Sequence, residues 1–188
     1  MLIPPGAGTC QRHTEIGSTL TTQMPLHPVV ADYLEAHAVA HEVLDCDPDL
    51  ADTAEFCAAY GIPLERSANA ILVASRNPPD LVALCLVLAT NRLDVNGTVR
   101  RKLGARKVSF APADLTRDRT GMEIGGVTVF GVPEPVPIWV DRNVLILDSV
   151  IVGAGTRTAK IRVDPSVFID LPGFEIVDSL VKDESGPD

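Results

Sequence analysis

The sequence predicts a single α+β domain built around a mixed, largely buried central β-sheet. The chain has 188 residues, of which 46% are hydrophobic, so it can form one domain with a sizeable core. Helical and strand-like apolar patterns follow one another irregularly along it. The regular strand–helix–strand rhythm of a doubly wound parallel sheet is missing. Together these observations favour the α+β class.

Helices are predicted where apolar residues recur at helical spacing or where capping residues flank a short segment. The predicted helices are residues 28–36, 54–60, 97–103, 113–119 and 165–169. Pro28 suits the first turn of the first helix, and either Asp49 or Thr53 is expected to cap the second. Gly61 is expected to end that second helix, and Gly121 to break the fourth.

Strands are predicted where short apolar or alternating runs lie between turn residues. They are residues 39–46, 70–74, 81–89, 107–110, 127–130, 138–140, 150–152, 160–163 and 174–177. Runs 70–74 and 81–89 are continuously apolar, as is typical of buried strands, and the Asn77-Pro78-Pro79 turn separates them. A glycine-rich turn at Gly125-Gly126 precedes run 127–130. The chain contains no internal repeat.

The acidic composition excludes a broad nucleic-acid-binding face. The chain has 16 Lys and Arg against 25 Asp and Glu, which gives a net charge of -9. Phosphate neutralisation needs clustered cations, so any RNA contact must be local and no DNA binding is expected. Aromatic residues are only 4% of the chain, too few for an extended base-stacking platform. Asn96 is expected to cap the third helix, whose basic residues 100–102 form a solvated face.

The ends of the chain and its cysteines predict domain boundaries and a compartment. Residues 1–23 are expected to form a flexible N-terminal tail, with Met24 as a possible natural start, residues 24–181 the domain and residues 182–188 a flexible C-terminal tail. The longest apolar run, 81–89, is too short for a membrane helix. The 4 cysteines include no CxxC pair, and no signal peptide precedes them, so we expect a cytoplasmic protein with reduced thiols.

Candidate metal and cofactor motifs are incomplete. The acidic run 45–49 begins like a calcium loop, but Leu50 occupies the position of the turn glycine. His37 and His41 lie four residues apart without the glutamate of a zinc protease helix. The Gly153-Ala154-Gly155 turn lacks the third glycine of a dinucleotide fingerprint. We therefore predict no metal and no cofactor.

Four segments in a fixed order resemble the YbaK/EbsC family, relatives of the editing domain inserted in bacterial prolyl-tRNA synthetases. They are Arg66-Ser67-Ala68-Asn69-Ala70-Ile71-Leu72-Val73, then residues 89–94, residues 120–131 and the Gly153-Ala154-Gly155-Thr156-Arg157 turn. The similarity spans about residues 24–181. It implies one α+β domain with a mixed, curved sheet flanked by helices around one pocket. It also implies hydrolysis of the ester between a wrongly attached small amino acid and the 3′ end of tRNA, with no metal.

The resemblance also implies which residues form the site. Asn69 occupies the position of a family lysine, and it is expected to orient the substrate beside amides of Gly125, Gly126 and Gly131 that stabilise the oxyanion. The implied substrate-binding residues are Thr53, Thr128, Val129, Asp141, Gly153, Ala154, Gly155 and Arg157. The Gly153–Gly155 turn and Arg157 are expected to hold the terminal phosphate or ribose. The implied partners are the tRNA acceptor end and an aminoacyl-tRNA synthetase.

Several alternatives remain open at the level of sequence. The glycines could serve only tight turns, and Asn69 could bond neighbouring backbone at the start of a buried strand. Val129 stands where the family motif has proline, which predicts a differently shaped loop. The protein could be a binding module for the aminoacyl end of tRNA or for a synthetase without turnover. It could also hydrolyse another small ester or amide.

Overall fold

The computed structural model describes residues 26–78 and 80–182 of the chain. The predicted N-terminal tail, residues 1–23, lies outside these residues, and so does the predicted C-terminal tail except for Lys182. Within the described part, the helices are α1 (Pro28–Ala36), α2 (Thr53–Tyr60), α3 (Arg100–Lys102), α4 (Ala113–Thr120) and α5 (Val167–Asp170). The strands there are β1 (His41–Asp45), β2 (Ala68–Asn77), β3 (Val82–Leu88), β4 (Lys107–Phe110), β5 (Ile138–Asp141), β6 (Val150–Gly153), β7 (Ala159–Val163) and β8 (Phe174–Val177). None of the helices in this part is long and apolar enough to cross a membrane.

The strands form two hydrogen-bonded sheets. The larger is mixed and has the order β4-β2-β3-β5-β8, in which β3, β5 and β8 are parallel and the other pairs antiparallel. The smaller is antiparallel, with the order β1-β7-β6. A single bridge between Ser67 and Ile151 joins them at the start of β2. The predicted α+β class with mixed β-structure is confirmed, but the strands form two sheets and not the one central sheet that was predicted.

Both faces of the larger sheet are buried, which explains the continuous apolar run of β3. Alternate β3 residues, such as Leu84 and Leu86, enter a main core shared with β5, β6, β7, α1 and α5. The intervening residues, such as Cys85, enter a second core with the segment that precedes β4. The smaller sheet uses its second face to bury Phe56 of α2 against Ile151. Helix α2 is thereby fixed over β6 and beside the start of β2.

Two predicted helix caps are wrong. Helix α2 begins after Asp52, because Asp49 belongs to a preceding 3-10 turn, Pro48–Leu50, and Thr53 is already helical. The third helix begins with a π-turn, Val95–Val99, that runs into α3. Its cap is Asp94 and not Asn96, because the Asp94 carboxylate accepts from the Gly97 and Thr98 amides over 3.0 and 2.7 Å.

The predicted strand over residues 127–130 is also wrong. This segment pairs with no strand in the described part of the chain, and the side chains of Val129 and Phe130 are fully buried in the main core. Gly125 and Gly131 have φ of +90° and +73°, so the backbone turns sharply at each end. A short apolar run has the same pattern in a buried loop as in a buried strand, and pairing alone distinguishes them.

Candidate active site

A cavity of about 600 Å³ lies where α2, the start of β2, the end of β6 and the turn around Gly125 meet. This volume is within the range of small-molecule sites. Small side chains line much of it, namely those of Ala51, Ala54, Ala68, Ala70, Ala111 and Ala113. Thr53, Asn69 and Lys160 contribute polar groups. The cavity therefore suits a small ligand group held by a few directed polar contacts.

Thr53 and Asn69 form one side of this cavity, which we call the neutral wall. Thr53 is the first residue of α2 and Asn69 the second of β2. The Thr53 hydroxyl donates to Asn69 Oδ1 over 2.6 Å, so Asn69 bonds a side chain of α2 and not its neighbouring backbone. Asn69 Nδ2 has no partner among the described residues. Its N–H groups are therefore available to a ligand.

Lys160 places a buried ammonium group at the cavity. It is the second residue of β7, and only 5% of its surface is exposed. Its Nζ donates to the Ala51 carbonyl oxygen over 2.6 Å and to the Gly125 carbonyl oxygen over 3.0 Å. The Phe56 ring centroid lies 5.6 Å from Nζ. Burial lowers the pKa of Lys160, because desolvation disfavours its charged form.

Arg157 joins the same two backbone segments nearer to solvent. Its Nε and Nη2 donate to the Pro48 carbonyl oxygen over 2.9 and 2.6 Å, and its Nη1 donates to the Ile124 carbonyl oxygen over 3.1 Å. Its backbone N–H donates to Glu123 Oε2 over 3.0 Å. The side chain lines a second cavity, of about 510 Å³, together with Arg117 and Glu123. We call Arg157 and Lys160 the cationic pair.

The glycines of the predicted site allow two chain segments to approach each other. A Cβ atom on Gly126 would collide with the Thr156 carbonyl oxygen. One on Gly153 would collide with the carbonyl oxygens of Gly126 and Val127. We expected these glycines to bring bare backbone against a substrate. The close approach in the structure is between the glycine-rich turn and the loop that joins β6 to β7.

Three further predicted residues dock helix α1. A Cβ atom on Gly131 would collide with the Val29 carbonyl oxygen, and one on Gly155 with the His27 side chain. The Ala154 carbonyl oxygen accepts from the His27 amide over 3.1 Å. Gly131, Ala154 and Gly155 do not line the main cavity. Their contacts place the start of α1 against the loop after β6.

Only some amides of the glycine-rich turn have no partner. The Gly126 N–H donates to the Glu123 carbonyl oxygen over 3.0 Å, and the Gly155 N–H donates to the Gly126 carbonyl oxygen over 2.7 Å. The amides of Gly125 and Val127 donate to no atom of the described chain. Both residues line the cavity. The candidate oxyanion donors are therefore Gly125 and Val127, whereas the predicted Gly126 donor is already engaged.

The remaining predicted residues lie away from the cavity lining. Thr128 and Val129 are fully buried, and Val129 packs in the main core. Asp141 is also fully buried, and its carboxylate accepts from the amides of Asn143 and Leu180 over 3.0 and 2.8 Å. Of the twelve predicted site residues, those lining the main cavity are Thr53, Asn69, Gly125 and Gly153.

The cysteines in the described part of the chain are buried. Cys46, Cys57 and Cys85 are free thiols. Burial raises the pKa of Cys46, and it raises that of Cys85 to about 12. A thiol with a raised pKa is a poor nucleophile at neutral pH. Within residues 26–78 and 80–182, no three His, Cys, Asp or Glu residues are grouped so that they could hold a metal ion.

Lys160 is the cavity residue that the sequence analysis missed. In β7, Ala159, Ile161 and Val163 alternate with Lys160 and Arg162, a pattern that predicts solvent exposure for both cations. Arg162 agrees with this prediction, since it pairs with Glu42 at the surface. Lys160 is buried instead, because the segment from Ala51 to Phe56 covers that end of the sheet.

Comparison with known proteins gives the chain a family. Among solved structures, hypothetical protein APE2540 is 23% identical with a TM-score of 0.72, over 81% of this chain and 98% of that one. A scaffold used for epitope backbone grafting is 24% identical with a TM-score of 0.69, over 84% and 99%. These two likenesses show the fold alone. A candidate trans-editing enzyme for prolyl tRNA synthetase is 25% identical with a TM-score of 0.68, over 85% and 99%. The family described as "Aminoacyl-tRNA editing domain" matches residues 47–171, or 125 of the 188 residues, so the chain belongs to the aminoacyl-tRNA editing domain family.

Proposed function

We propose that the protein is an aminoacyl-tRNA deacylase that acts in trans and hydrolyses the ester of a mischarged small amino acid. The observation that carries this proposal is the composition of the main cavity. It combines the available Asn69 amide with the unpartnered amides of Gly125 and Val127 in a lining of small side chains. A pocket that selects small apolar groups by binding alone gains only about 1–3 kcal/mol per methylene, so decoding needs such a second selection step.

The reaction needs water, an orienting group and oxyanion donors. Water attacks the ester carbonyl carbon, and the carbonyl oxygen gains negative charge, which the Gly125 and Val127 amides stabilise. Each well-placed donor of this kind is worth about 3–4 kcal/mol in other hydrolases. Asn69 Nδ2 orients the ester or the ribose, and the neighbouring 2′-hydroxyl relays a proton from the water to the leaving 3′-oxygen. The products are the free amino acid and uncharged tRNA.

The tRNA is bound only at its acceptor end. The net charge of -9 gives little attraction for the tRNA body, so affinity at physiological salt is weak or depends on a synthetase. At the cavity rim, Phe110 is 60% exposed at the end of β4. Its ring offers the terminal base a stacking face, an interaction worth about 1–3 kcal/mol. Charged tRNA is used in the cytoplasm, where we place the reaction.

The test is a deacylation assay with a panel of tRNAs mischarged with small amino acids. The purified protein should release amino acid from at least one of them, and Asn69→Ala should slow that release. Asn96→Ala is a matched control, since Asn96 is exposed and outside the cavity lining. No release from the full panel would overturn the deacylase proposal. An equal loss in both variants would remove Asn69 from the site.

A second candidate is a binding module for the aminoacyl end of tRNA, favoured by the neutral Asn69 at the position of the family lysine. Asn69→Lys distinguishes the two functions. Activity that is created by the lysine in an otherwise inactive protein supports the binding module. Activity that is present in the wild type and lost in Asn69→Lys supports the enzyme.

A further inference from the structure

Arg157 and Lys160 both join the turn at Ile124 and Gly125 to the loop between β1 and α2. Arg157 holds the Ile124 carbonyl oxygen and the Pro48 carbonyl oxygen. Lys160 holds the next carbonyl oxygen along the turn, that of Gly125, and also that of Ala51. Two successive carbonyl groups of one turn are thus each bound by a cationic side chain from the same hairpin.

These contacts determine the orientation of two peptide planes. In a trans peptide the carbonyl oxygen and the following N–H point in opposite directions within one plane. Arg157 holds the Ile124 oxygen, so the Gly125 N–H is directed away from the guanidinium. Lys160 holds the Gly125 oxygen, and the N–H of that second plane, on Gly126, donates to Glu123. Both planes that flank the Gly125 Cα atom are therefore fixed.

Gly125 would not keep this orientation without such contacts. Its φ is +90°, a conformation that glycine leaves readily because it has no Cβ to restrict it. Rotation about its backbone bonds would change the direction of this unpartnered N–H. Arg157 and Lys160 act on this N–H through carbonyl groups and not through a ligand.

We propose that Arg157 and Lys160 are positioning residues that orient the Gly125 N–H toward the reacting carbonyl oxygen. This inference rests on the proposed deacylase function. It replaces the role expected for Arg157 in the sequence analysis, where the guanidinium was assigned to the terminal phosphate or ribose. Three of the guanidinium's contacts are to backbone oxygens of this chain. A preorganised donor of this kind changes the rate of the chemical step by about 100-fold to 1000-fold.

The experiment compares kcat and KM of wild type, Arg157→Lys and Lys160→Met. Arg157→Lys keeps the positive charge but cannot bond both Pro48 and Ile124 through a planar fork. We expect kcat to fall at least 10-fold in Arg157→Lys and further in Lys160→Met, with KM within about two-fold of wild type. Arg117→Lys is the matched control, since Arg117 shares the second cavity but is not bound to the turn. A higher KM with unchanged kcat in Arg157→Lys would return Arg157 to a phosphate-binding role and overturn the proposal.

A second measurement tests the positioning without turnover. Labelling with carbonyl-¹³C isoleucine and ¹⁵N glycine selects the Ile–Gly pairs of the chain, at 16–17 and 124–125, and Gly17→Ala identifies the first. The Gly125 amide resonance should shift in Arg157→Lys and Lys160→Met but not in Arg117→Lys. An unchanged Gly125 amide in folded variants overturns the positioning role. Failure of the wild type to deacylate any tRNA overturns the proposed function. The Gly125 amide measurement still decides whether Arg157 and Lys160 orient that amide.

Discussion

The neutral wall and the cationic pair, of which Lys160 lines the main cavity and Arg157 the second one, use their polar groups in opposite ways. In the neutral wall, one hydrogen bond joins two side chains, Thr53 and Asn69, and the Asn69 Nδ2 group is left over. In the cationic pair, five hydrogen bonds run from side chains to backbone carbonyl oxygens. The neutral wall is therefore equipped to meet a ligand. The cationic pair instead holds the backbone that forms the opposite side of the cavity.

The charged side chain in the main cavity and the side chain available to a substrate are therefore different residues. A family lysine is expected where Asn69 lies, yet an ammonium group is present in the same cavity on another strand, at Lys160. An ammonium group that donates to two carbonyl oxygens stabilises a turn, whereas a neutral amide with free N–H groups can bind a substrate oxygen. The position of a cation in the cavity thus does not by itself identify the group that contacts substrate.

The largest effect is expected from Gly126→Ala, which pushes the glycine-rich turn away from the cationic pair. The added Cβ would collide with the backbone carbonyl of Thr156, which cannot move aside like a flexible side chain. We expect a loss of about 3 kcal/mol in the free energy of unfolding, at the upper end for overpacking. Gly61→Ala is the comparison, because Gly61 has a φ of +65° but open space around it, whereas Gly126 lacks a positive φ but has no room for a Cβ atom.

Gly61→Ala should lose only about 1 kcal/mol, the cost of a side chain at positive φ. Urea denaturation of both variants gives the two values. A loss in Gly126→Ala no larger than that in Gly61→Ala would mean that the contact with Thr156 is relieved at little cost. Deacylation by Gly126→Ala should fall below detection, because the turn carries the candidate donors.

The second expected effect is a coupling between the two sides of the cavity. Asn69→Lys adds a second ammonium group to a cavity that already holds Lys160. Repulsion between the two charges should destabilise the fold by about 1 kcal/mol or more. Lys160→Met leaves the carbonyls of Ala51 and Gly125 without their donor and should cost about 1–3 kcal/mol. The double variant should lose less than the two single losses added together, by about 1 kcal/mol.

A double-mutant cycle in urea measures this coupling. Asn96→Lys combined with Lys160→Met is the control cycle, because Asn96 is exposed and outside the cavity, and its two effects should add. Additivity in the Asn69 cycle would show that the neutral wall and the cationic pair are electrostatically independent. The neutral wall and the cationic pair would then differ only in the hydrogen bonds that they form.

Local patterns predicted the regular elements well. Residues 28–36 and 107–110 were predicted with the bounds that α1 and β4 have in the structure. Helical spacing and alternation determine such elements directly, since each buries one continuous face. The segment 127–130 was mispredicted because its apolar residues are buried by turns at both ends and not by pairing.

The site was predictable only in part, for a related reason. Asn69, Gly125 and Gly153, which the family resemblance marks as positions along the chain, line the main cavity, and their roles stay predictions. Lys160 was missed because alternation in β7 indicates which face a residue occupies but not what covers that face. The cover comes from α2 and the turn before it, which are about a hundred residues away in sequence. Such long-range packing has no local signal.

The smallest expected effect concerns the protonation of Lys160. Its sign tests whether desolvation or the groups around the ammonium dominate the pKa of Lys160. Burial lowers the pKa of this ammonium below its ordinary value of 10.5. Between the lowered value and 10.5, the unfolded chain therefore binds more protons than the folded one. In that window the free energy of unfolding rises with pH, and below it both states are protonated and the slope is zero.

Lys160→Met lacks this titration, so the wild type should gain stability relative to the variant as pH rises toward 10.5. The gain should be about 1 kcal/mol or less, measured as the difference between urea unfolding curves at pH 7 and pH 10. The nearby Asp52 carboxylate and the carbonyl oxygens of Ala51 and Gly125 act against it, because they favour the charged form. A wild type that instead loses stability relative to Lys160→Met over this range would show that these groups together outweigh desolvation. The ammonium would then be the preferred form at this position, and its contacts with the turn would be stronger than burial alone indicates.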